Sequence, residues 1–475
     1  MSARFDFPLA RRFANRLPAL FLPLFAASAA SAEEAAPVAN SGDTAWVLAA
    51  SALVLMMTLP GLALFYGGLV RAKNVLNVFM QCFIAAAAVG VLWVAFGYSL
   101  AFSSGGGLFI GNLAKAGLAG VGLDSMIANY GTDPVRHIPE YVFIAFQGMF
   151  AIITPALILG AVVERMKFSA FLAFISIWLV AVYCPLAYMV WGGGWIFQAG
   201  AIDFAGGLVV HMSSGFSALA AALVLGKRRG FGRDPMQPHS MPLCLIGAGL
   251  LWAGWFGFNA GSALSATSLA ALAFLNTTTA ASTAVFAWCA IEWLHRGKPT
   301  ALGAATAAVA GLVAITPACG NVSPMGAIAV GIGVSAVCYA AVTFLKPMLG
   351  YDDSLDAFGV HGVGGAWGAL ASGLFATTLG SGIETNAQQV MVQLKSIGFT
   401  MVFAPVATLV ILYALRLVFG SLRVNDESEF DGLDVSEHSE SAYSFGSGAS
   451  VGAGHGHGTA EAFAAARASR PEVTA

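Results

Sequence analysis

Two histidines in apolar surroundings are the residues of this sequence best suited to chemistry. His211 and His361 each lie in a long stretch of Ala, Val, Leu and Gly, where an ionisable side chain is costly and marks a functional pathway. Asp203 precedes the first histidine and Asp356 precedes the second. A neutral imidazole donates and accepts hydrogen bonds and titrates near neutral pH, so a pair could line a dry path or pass a proton. The alternative is two unrelated histidines, each hydrogen-bonded across a helix interface.

A second group, made of aromatic rings and one hydroxyl, gathers toward one end of other apolar stretches. It contains Phe150, Trp191, Phe258 and Ser262. Rings near the mouth of a pathway can hold a cation against their π faces, at about 0.5–2 kcal/mol each. The alternative is an ordinary aromatic belt at a membrane interface. Phe150 and Phe258 lie deeper and close to glycines, which favours a functional site.

These side chains must be positioned by helices that cross a lipid bilayer. The chain has 475 residues, of which 58% are hydrophobic and 10% charged, whereas a soluble domain carries about 25% charged residues. The continuous apolar runs reach the roughly 20 residues that span a bilayer, and they do not alternate as barrel strands do. No basic stripe could hold a nucleic-acid backbone. We predict an all-α polytopic membrane protein with eleven transmembrane helices, at residues 44–70, 75–102, 139–163, 168–190, 202–226, 241–261, 269–294, 300–318, 323–345, 355–379 and 391–421.

The basic residues predict the orientation of these spans. Lys and Arg follow the odd-numbered spans, as with Arg71 after the first and Arg228 after the fifth, and few lie in the opposite loops. Because Lys- and Arg-rich loops face the cytoplasm, the N-terminus is expected outside and the C-terminus inside.

The two ends of the chain differ from the spans. Residues 1–32 have a basic start, a short apolar core and the small residues Ala-Ser-Ala before Glu33, which is typical of a cleaved signal peptide. An uncleaved twelfth helix is the alternative. Residues 425–475 are acidic and then rich in Gly, Ser and His, so we expect a partly disordered cytoplasmic tail after a transmembrane domain at 44–424.

The depths of the two histidines predict an internal repeat. His211 lies nine residues into span five, and His361 six residues into span ten, which is roughly 14 Å and 9 Å along helices of opposite direction. Both histidines therefore approach the midplane. Two inverted five-helix repeats plus a final helix would produce this arrangement, and such repeats place a substrate site between them.

Three motifs around these residues carry a family resemblance. They are Asp203-Phe-Ala-Gly-Gly with His211, Trp252-Ala-Gly-Trp-Phe-Gly-Phe-Asn-Ala-Gly-Ser262, and Asp353-Ser-Leu-Asp-Ala-Phe-Gly-Val-His361-Gly-Val-Gly-Gly. Over residues 44–425 the chain resembles the Amt/Mep/Rh ammonium transporters, in the bacterial Amt branch. The resemblance implies ammonium uptake across the bacterial inner membrane, a homotrimer with one pore per subunit, and a cytoplasmic PII signal protein as partner.

The resemblance also implies roles for matching positions. Trp191, Phe150 and Ser262 would form the outer ammonium recruitment site, with Asp203 buried below it. Phe150 and Phe258 would be the stacked rings that gate the pore, while His211 and His361 would be the twin histidines of a proton relay. No CxxC pair or other cluster of metal ligands occurs in the sequence, so we expect no cofactor and no metal. A departure is the tail past Ser447, which is longer and richer in Gly and His than the family's pattern.

Selectivity explains why such residues suit ammonium. Rings and a hydroxyl would also bind potassium, but only ammonium has a proton to lose. Moving a bare ion into an apolar pore costs tens of kcal/mol, whereas removing a proton from an amine-like ion at pH 7 costs about 4 kcal/mol. Ammonia could then cross alone, or the proton could follow separately along the histidines. The competing functions are a passive Rh-type gas channel and an ammonium sensor; no nucleophile–base pair indicates an enzyme.

Overall fold

Membrane-length helices make up most of the structure, a computed structural model that describes residues 37–128 and 135–443. The predicted signal peptide at residues 1–32 and the Gly- and His-rich end of the tail lie outside the described residues. Nine helices of this part are long and apolar enough to cross a membrane: α1 Ser41–Leu69, α2 Ala72–Phe102, α3 Glu140–Val162, α4 Phe168–Gln198, α5 Gly207–Leu225, α6 Met241–Gly261, α7 Ser268–Arg296, α9 Pro324–Leu349 and α11 Asn386–Phe419.

The other two predicted spans are also helical, but they are shorter. Helix α8 covers Ala301–Ile315, and α10 consists of a π-helical turn, Phe358–Gly362, that continues into Val363–Leu374. The all-α fold is therefore confirmed. The count of eleven transmembrane helices stays a prediction, because α8 and α10 fall below the roughly 20 residues that a bilayer requires.

Polar caps explain where several of these helices begin. Ser240, Thr300 and Ser323 each accept a backbone N–H from the first turn of the helix that follows them. Thr385 does the same for α11 and forms a reciprocal capping box with Gln388. Such caps satisfy N–H groups that have no partner inside the helix, and lipid offers no substitute.

Helices α5 and α10 cross with backbone against backbone. A Cβ atom added to Gly215 of α5 would collide with the backbone of Gly362, and one added to Gly365 of α10 would lie 3.1 Å from the Cβ of His211. Small residues allow this approach in membrane helix pairs. Both α5 and α10 begin with a π-helical turn that contains a histidine, and π-helical turns are common at functional sites.

Smaller elements cover the two ends of the helix bundle. Strands β1, Met126–Ala128, and β2, His137–Pro139, form an antiparallel pair between α2 and α3. After α11, the short helices α12, Asp426–Asp431, and α13, Leu433–His438, fold back onto the start of α2. The first part of the predicted tail is therefore helical and packed rather than separate from the transmembrane helices.

Candidate functional site

Three cavities follow one another through the helix bundle. The aromatic vestibule, about 410 Å³, is lined by Phe150, Trp191 and Ser262 among others. The histidine chamber, about 10 Å³, contains His211 and His361 in its wall. The charged vestibule, about 250 Å³, shares His361 with the chamber and is otherwise lined by residues that include Arg228, Lys346 and Asp356. The chamber has room for about one water-sized molecule, so a hydrated ion does not fit in it.

Two phenylalanine rings separate the aromatic vestibule from the histidine chamber. The ring centroids of Phe150 and Phe258 are 4.2 Å apart at an interplanar angle of 33°, and both side chains are buried. Phe146 packs edge-on against Phe150 at 4.9 Å. A Cβ atom on Gly261 would lie 2.8 Å from the Phe146 ring, so α6 also holds these rings in place. The predicted gate residues therefore meet as a closed stack.

The aromatic vestibule brings together the predicted recruitment residues. The indole ring of Trp191 stands nearly perpendicular to Phe150, with centroids 6.2 Å apart, and its Nε1–H donates to the backbone oxygen of Asp203 at 2.8 Å. Ser262 donates its hydroxyl hydrogen to the backbone oxygen of Phe258 at 2.8 Å. The lone pairs of the Ser262 oxygen therefore remain as acceptors beside aromatic faces, which is suitable chemistry for a small cation with N–H groups.

Asp203 is a helix cap in the structure. Its carboxylate accepts the backbone N–H groups of Gly206 at 3.0 Å, Leu208 at 2.8 Å and Val209 at 3.2 Å, and also that of Gly207. With both oxygens engaged by four donors, Asp203 can influence a bound cation through its charge and through the position of α5, more than through a direct contact.

The two histidines lie in contact at the middle of the bundle. Nδ1 of His211 is 3.3 Å from Nδ1 of His361, and their rings are 5.3 Å apart with an angle of 22° between the planes. For this contact to be a hydrogen bond, one Nδ1 carries a hydrogen and the other does not. His211 also stacks on Trp255 at 5.4 Å and Phe258 at 5.9 Å. Among the described residues, its Nε2 has no hydrogen-bond partner.

The structure corrects the sequence analysis on which aspartate belongs to the segment of His361. Asp353, not Asp356, accepts the N–H groups of Ala357 at 3.1 Å and Phe358 at 2.7 Å and so caps the turn that carries His361. Asp356 instead forms an ion pair with Lys346 at 2.6 Å. Asp353 precedes His361 by eight residues, as Asp203 precedes His211. That equal spacing was the signal that could have identified Asp353 from the sequence.

A buried ion-pair network beside the charged vestibule was missed by sequence reasoning, which used Arg228 only to orient the chain. Arg228 contacts Glu164 at 2.9 Å and Asp352 at 2.9 Å, and Arg71 Nε also donates to Glu164 at 3.1 Å. Burial alone would raise the pKa of Glu164 and of Asp352, but Arg228 outweighs burial at both, with Arg71 adding to the effect at Glu164, and their pKa values lie below the usual range. The network joins the loops after α1, α3, α5 and α9.

The described residues contain no cluster of three or more His, Cys, Asp or Glu side chains arranged to hold a metal ion.

The sequence matches known transporters over most of its length. The profile of the Ammonium Transporter Family matches residues 45–443. An ammonium transporter of Bacillus subtilis is 48% identical over 408 residues, which cover 85% of this chain and 98% of the relative. The ammonium transporter Amt1 of Archaeoglobus fulgidus is 43% identical over 410 residues, or 85% of this chain and 100% of the relative.

The fold matches solved structures of the same kind. A structure described as a sensor Amt protein superposes with a TM-score of 0.77 at 28% identity and covers 84% of this chain and 98% of its own. The crystal structure of Candida albicans Mep2 gives a TM-score of 0.74 at 35% identity and covers 82% of this chain and 88% of its own.

Proposed function

This chain belongs to the Ammonium Transporter Family and transports ammonium across a membrane that it crosses several times, and we propose that it does so by separating the ion into ammonia and a proton. The observation that carries the proposal is the contact between His211 and His361 in a chamber too small for a hydrated ion. Cations are recruited in the aromatic vestibule, and the neutral molecule crosses the chamber.

Recruitment uses Trp191, Phe150 and Ser262. The two rings attract any small cation, at about 0.5–2 kcal/mol each, and the Ser262 oxygen accepts one N–H from ammonium. The charge of Asp203, held by four backbone donors, favours a cation in the same vestibule. Potassium meets the same attraction here, so recruitment by itself does not provide selectivity.

Selectivity arises at the closed stack of Phe150 and Phe258. Ammonium loses one proton there and becomes ammonia, at a cost of about 4 kcal/mol at pH 7 if its pKa resembles that of a lysine amine. Entry of the intact ion into the dry chamber would cost tens of kcal/mol. Potassium has no proton to lose and is therefore rejected, while ammonia passes when the two rings move apart.

The paired imidazoles carry the released proton. A proton accepted by His211 leaves through His361 toward the charged vestibule, where it recombines with ammonia, so that one ammonium ion crosses for each cycle. The Nδ1–Nδ1 contact of 3.3 Å supports this route, because it links the two rings directly. In the other mechanism the proton stays behind and only ammonia crosses, without net charge.

We further propose how the chain sits in the cell. Residues 1–32 are a removed signal peptide, residues 44–424 form the transport domain, and residues 425–475 form a cytoplasmic tail. The aromatic vestibule then faces outward and the charged vestibule faces the cytoplasm of a bacterium, across its inner membrane. The Arg-rich loops beside the charged vestibule support this orientation. The family resemblance supports a homotrimer and a PII signal protein bound at the cytoplasmic face.

Current recording in proteoliposomes tests the transport mechanism. We expect the wild type to give an ammonium-evoked current and no potassium-evoked current, and His211→Ala or His361→Ala to abolish the ammonium current. Ammonia flux without current in the wild type would indicate a passive gas channel instead. Full-sized, selective currents in both histidine variants would contradict the proton route.

A further inference from the structure

One face of α3 points three side chains into the aromatic vestibule. Phe143, Gln147 and Phe150 are spaced four and three residues apart, which places them on the same side of a helix. All three line the vestibule. Gln147 is therefore one helical turn from the ring that closes the gate.

The Gln147 side chain carries an acceptor that is buried without a donor. Its Oε1 atom is shielded from solvent and has no hydrogen-bond partner among the described residues. Of the described side chains that line the aromatic vestibule, Gln147 is the one with a buried and unpartnered polar atom. Nearly all buried carbonyl oxygens in proteins have a partner, so an exception that faces a cavity is a place where a ligand or a water molecule can donate a hydrogen bond.

The other acceptors nearest the gate differ from Gln147. Both oxygens of Asp203 are already engaged by backbone N–H groups. Ser262 gives its hydrogen to Phe258 and keeps free lone pairs. Ser262 follows α6, whereas Gln147 belongs to α3, so the vestibule has two acceptors on different elements beside the rings of Phe150 and Trp191.

We propose that the side-chain oxygen of Gln147 accepts an N–H of the bound ammonium ion and is a further binding residue of the recruitment site. This inference rests on the proposed recruitment of ammonium in the aromatic vestibule. Ammonium carries four N–H donors, and the aromatic faces do not compete for the hydrogens as an oxygen does. A charge-assisted hydrogen bond to an amide oxygen is stronger than a neutral one.

The test is the ammonium concentration at half-maximal current in proteoliposomes, measured for wild type, Gln147→Leu and Gln147→Glu. Gln147→Leu removes the acceptor and should raise the half-saturating concentration about tenfold, which corresponds to one hydrogen bond to a charged group. The maximal current should change little, because the later steps at the histidines are untouched. Gln147→Glu keeps an acceptor and adds a negative charge, so it should lower the half-saturating concentration.

A second cation separates a lost hydrogen bond from a distorted vestibule. Tetramethylammonium has no N–H and can be held only by the rings, so its block of the ammonium current should keep the same inhibition constant in Gln147→Leu. Ala145→Val, on an exposed side of the same helix, is the matched control and should behave as wild type.

The possible results separate the two proposals. No ammonium-evoked current in wild type means that the proposed function fails. If wild type conducts, an unchanged half-saturating concentration in Gln147→Leu overturns the role of Gln147, as does an equal weakening of tetramethylammonium block. If Gln147→Leu does not reach the membrane, Gln147→Glu decides: a half-saturating concentration at or above the wild-type value overturns the role.

Discussion

The two segments that carry the histidines have the same local structure but different neighbouring residues. Residues 203–211 and 353–361 each contain an aspartate, a π-helical turn capped by that aspartate, and a histidine eight residues after it. They enter the bundle in opposite directions and meet at the 3.3 Å contact between the imidazoles. Because the spacing from aspartate to histidine is the same in both segments, the two imidazole rings lie at the same depth in the bundle.

Their neighbours set them apart. Asp203 holds four backbone N–H groups, whereas Asp353 holds two. His211 is braced by the rings of Trp255 and Phe258 on the gate side, while His361 lines the charged vestibule. The same arrangement of aspartate, turn and histidine thus adjoins packed aromatic rings in one copy and a charged cavity in the other.

The largest expected effect comes from removing the two caps. Asp203→Ala leaves four buried N–H groups without an acceptor, at about 1 kcal/mol or more for each, and Asp353→Ala leaves two. We expect Asp203→Ala to lower the midpoint of thermal unfolding in detergent about twice as much as Asp353→Ala, and to abolish ammonium current. Equal losses in the two variants would contradict the difference between the copies.

A smaller change tests the contact between the segments. In Gly215→Ala, the new Cβ would press on the backbone of Gly362 and lie 2.8 Å from the carbonyl carbon of His361. A backbone cannot rotate away, so α5 and α10 must separate and the imidazole contact must lengthen. We expect an inserted protein with little or no ammonium current.

Gly249→Ala is the control for that prediction, because a Cβ atom at Gly249 meets nothing within 4 Å in the described structure. It should transport as the wild type does. Wild-type current in Gly215→Ala would mean that the pathway tolerates a wider separation of the two histidines.

The sequence was sufficient to predict those parts of the site that depend on local pattern. Helix periods and depths brought His211 and His361 to one level, and glycine-flanked rings indicated Phe150 and Phe258 as more than an interface belt. Both pairs meet in the structure. These predictions succeeded because a membrane span fixes the direction and rise of each helix.

The parts that depend on which loops meet were not predicted. The ion pairs of Arg228 with Glu164 and Asp352 join three loops that are distant in sequence, and nothing local distinguishes Arg228 from other basic loop residues. Asp356 was named before His361 from the sequence, whereas Asp353 caps the first turn of that helix, and the histidine follows one turn further on.

A moderate effect is expected from weakening the contact between Trp255 and His211. Trp255 donates Nε1–H to Thr316 at 2.9 Å and stacks on the imidazole. Trp255→Phe keeps a ring but loses the hydrogen bond and part of the stacked area, at about 1 kcal/mol. We expect a few-fold lower maximal current at an unchanged half-saturating concentration, because the vestibule is intact.

Trp367→Phe provides the comparison on the other segment. Trp367 lies on α10 and donates to the backbone oxygen of Val330 at 3.0 Å, with no ring contact to either histidine among the described residues. Loss of this hydrogen bond should lower the free energy of unfolding about as much as Trp255→Phe does, and it should leave the current near the wild-type value. If the two tryptophan variants reduce the current equally, the stacking of Trp255 on His211 does not contribute to transport.

The smallest effect concerns a third histidine, His438, which lies in the tail at one end of the bundle, against the start of α2. Its Nε2 is 2.9 Å from Nδ2 of Asn77, which donates only to a neutral ring. Burial lowers the pKa of His438, although Glu437, Asp434 and Glu440 act in the opposite direction. Because the undocked tail then binds more protons than the docked tail, docking is strongest above the ordinary histidine pKa of about 6.5 and weakens as the pH falls below it.

Hydrogen exchange in α12 and α13 should therefore be faster at pH 5.5 than at pH 7.5 after correction for intrinsic rates, and His438→Gln should remove most of that difference. The tail would then loosen on acidification while the exchange rates of α5 and α10, where the buried pair lies, stay the same; a matching pH response in those helices would show that the tail and the paired segments are coupled.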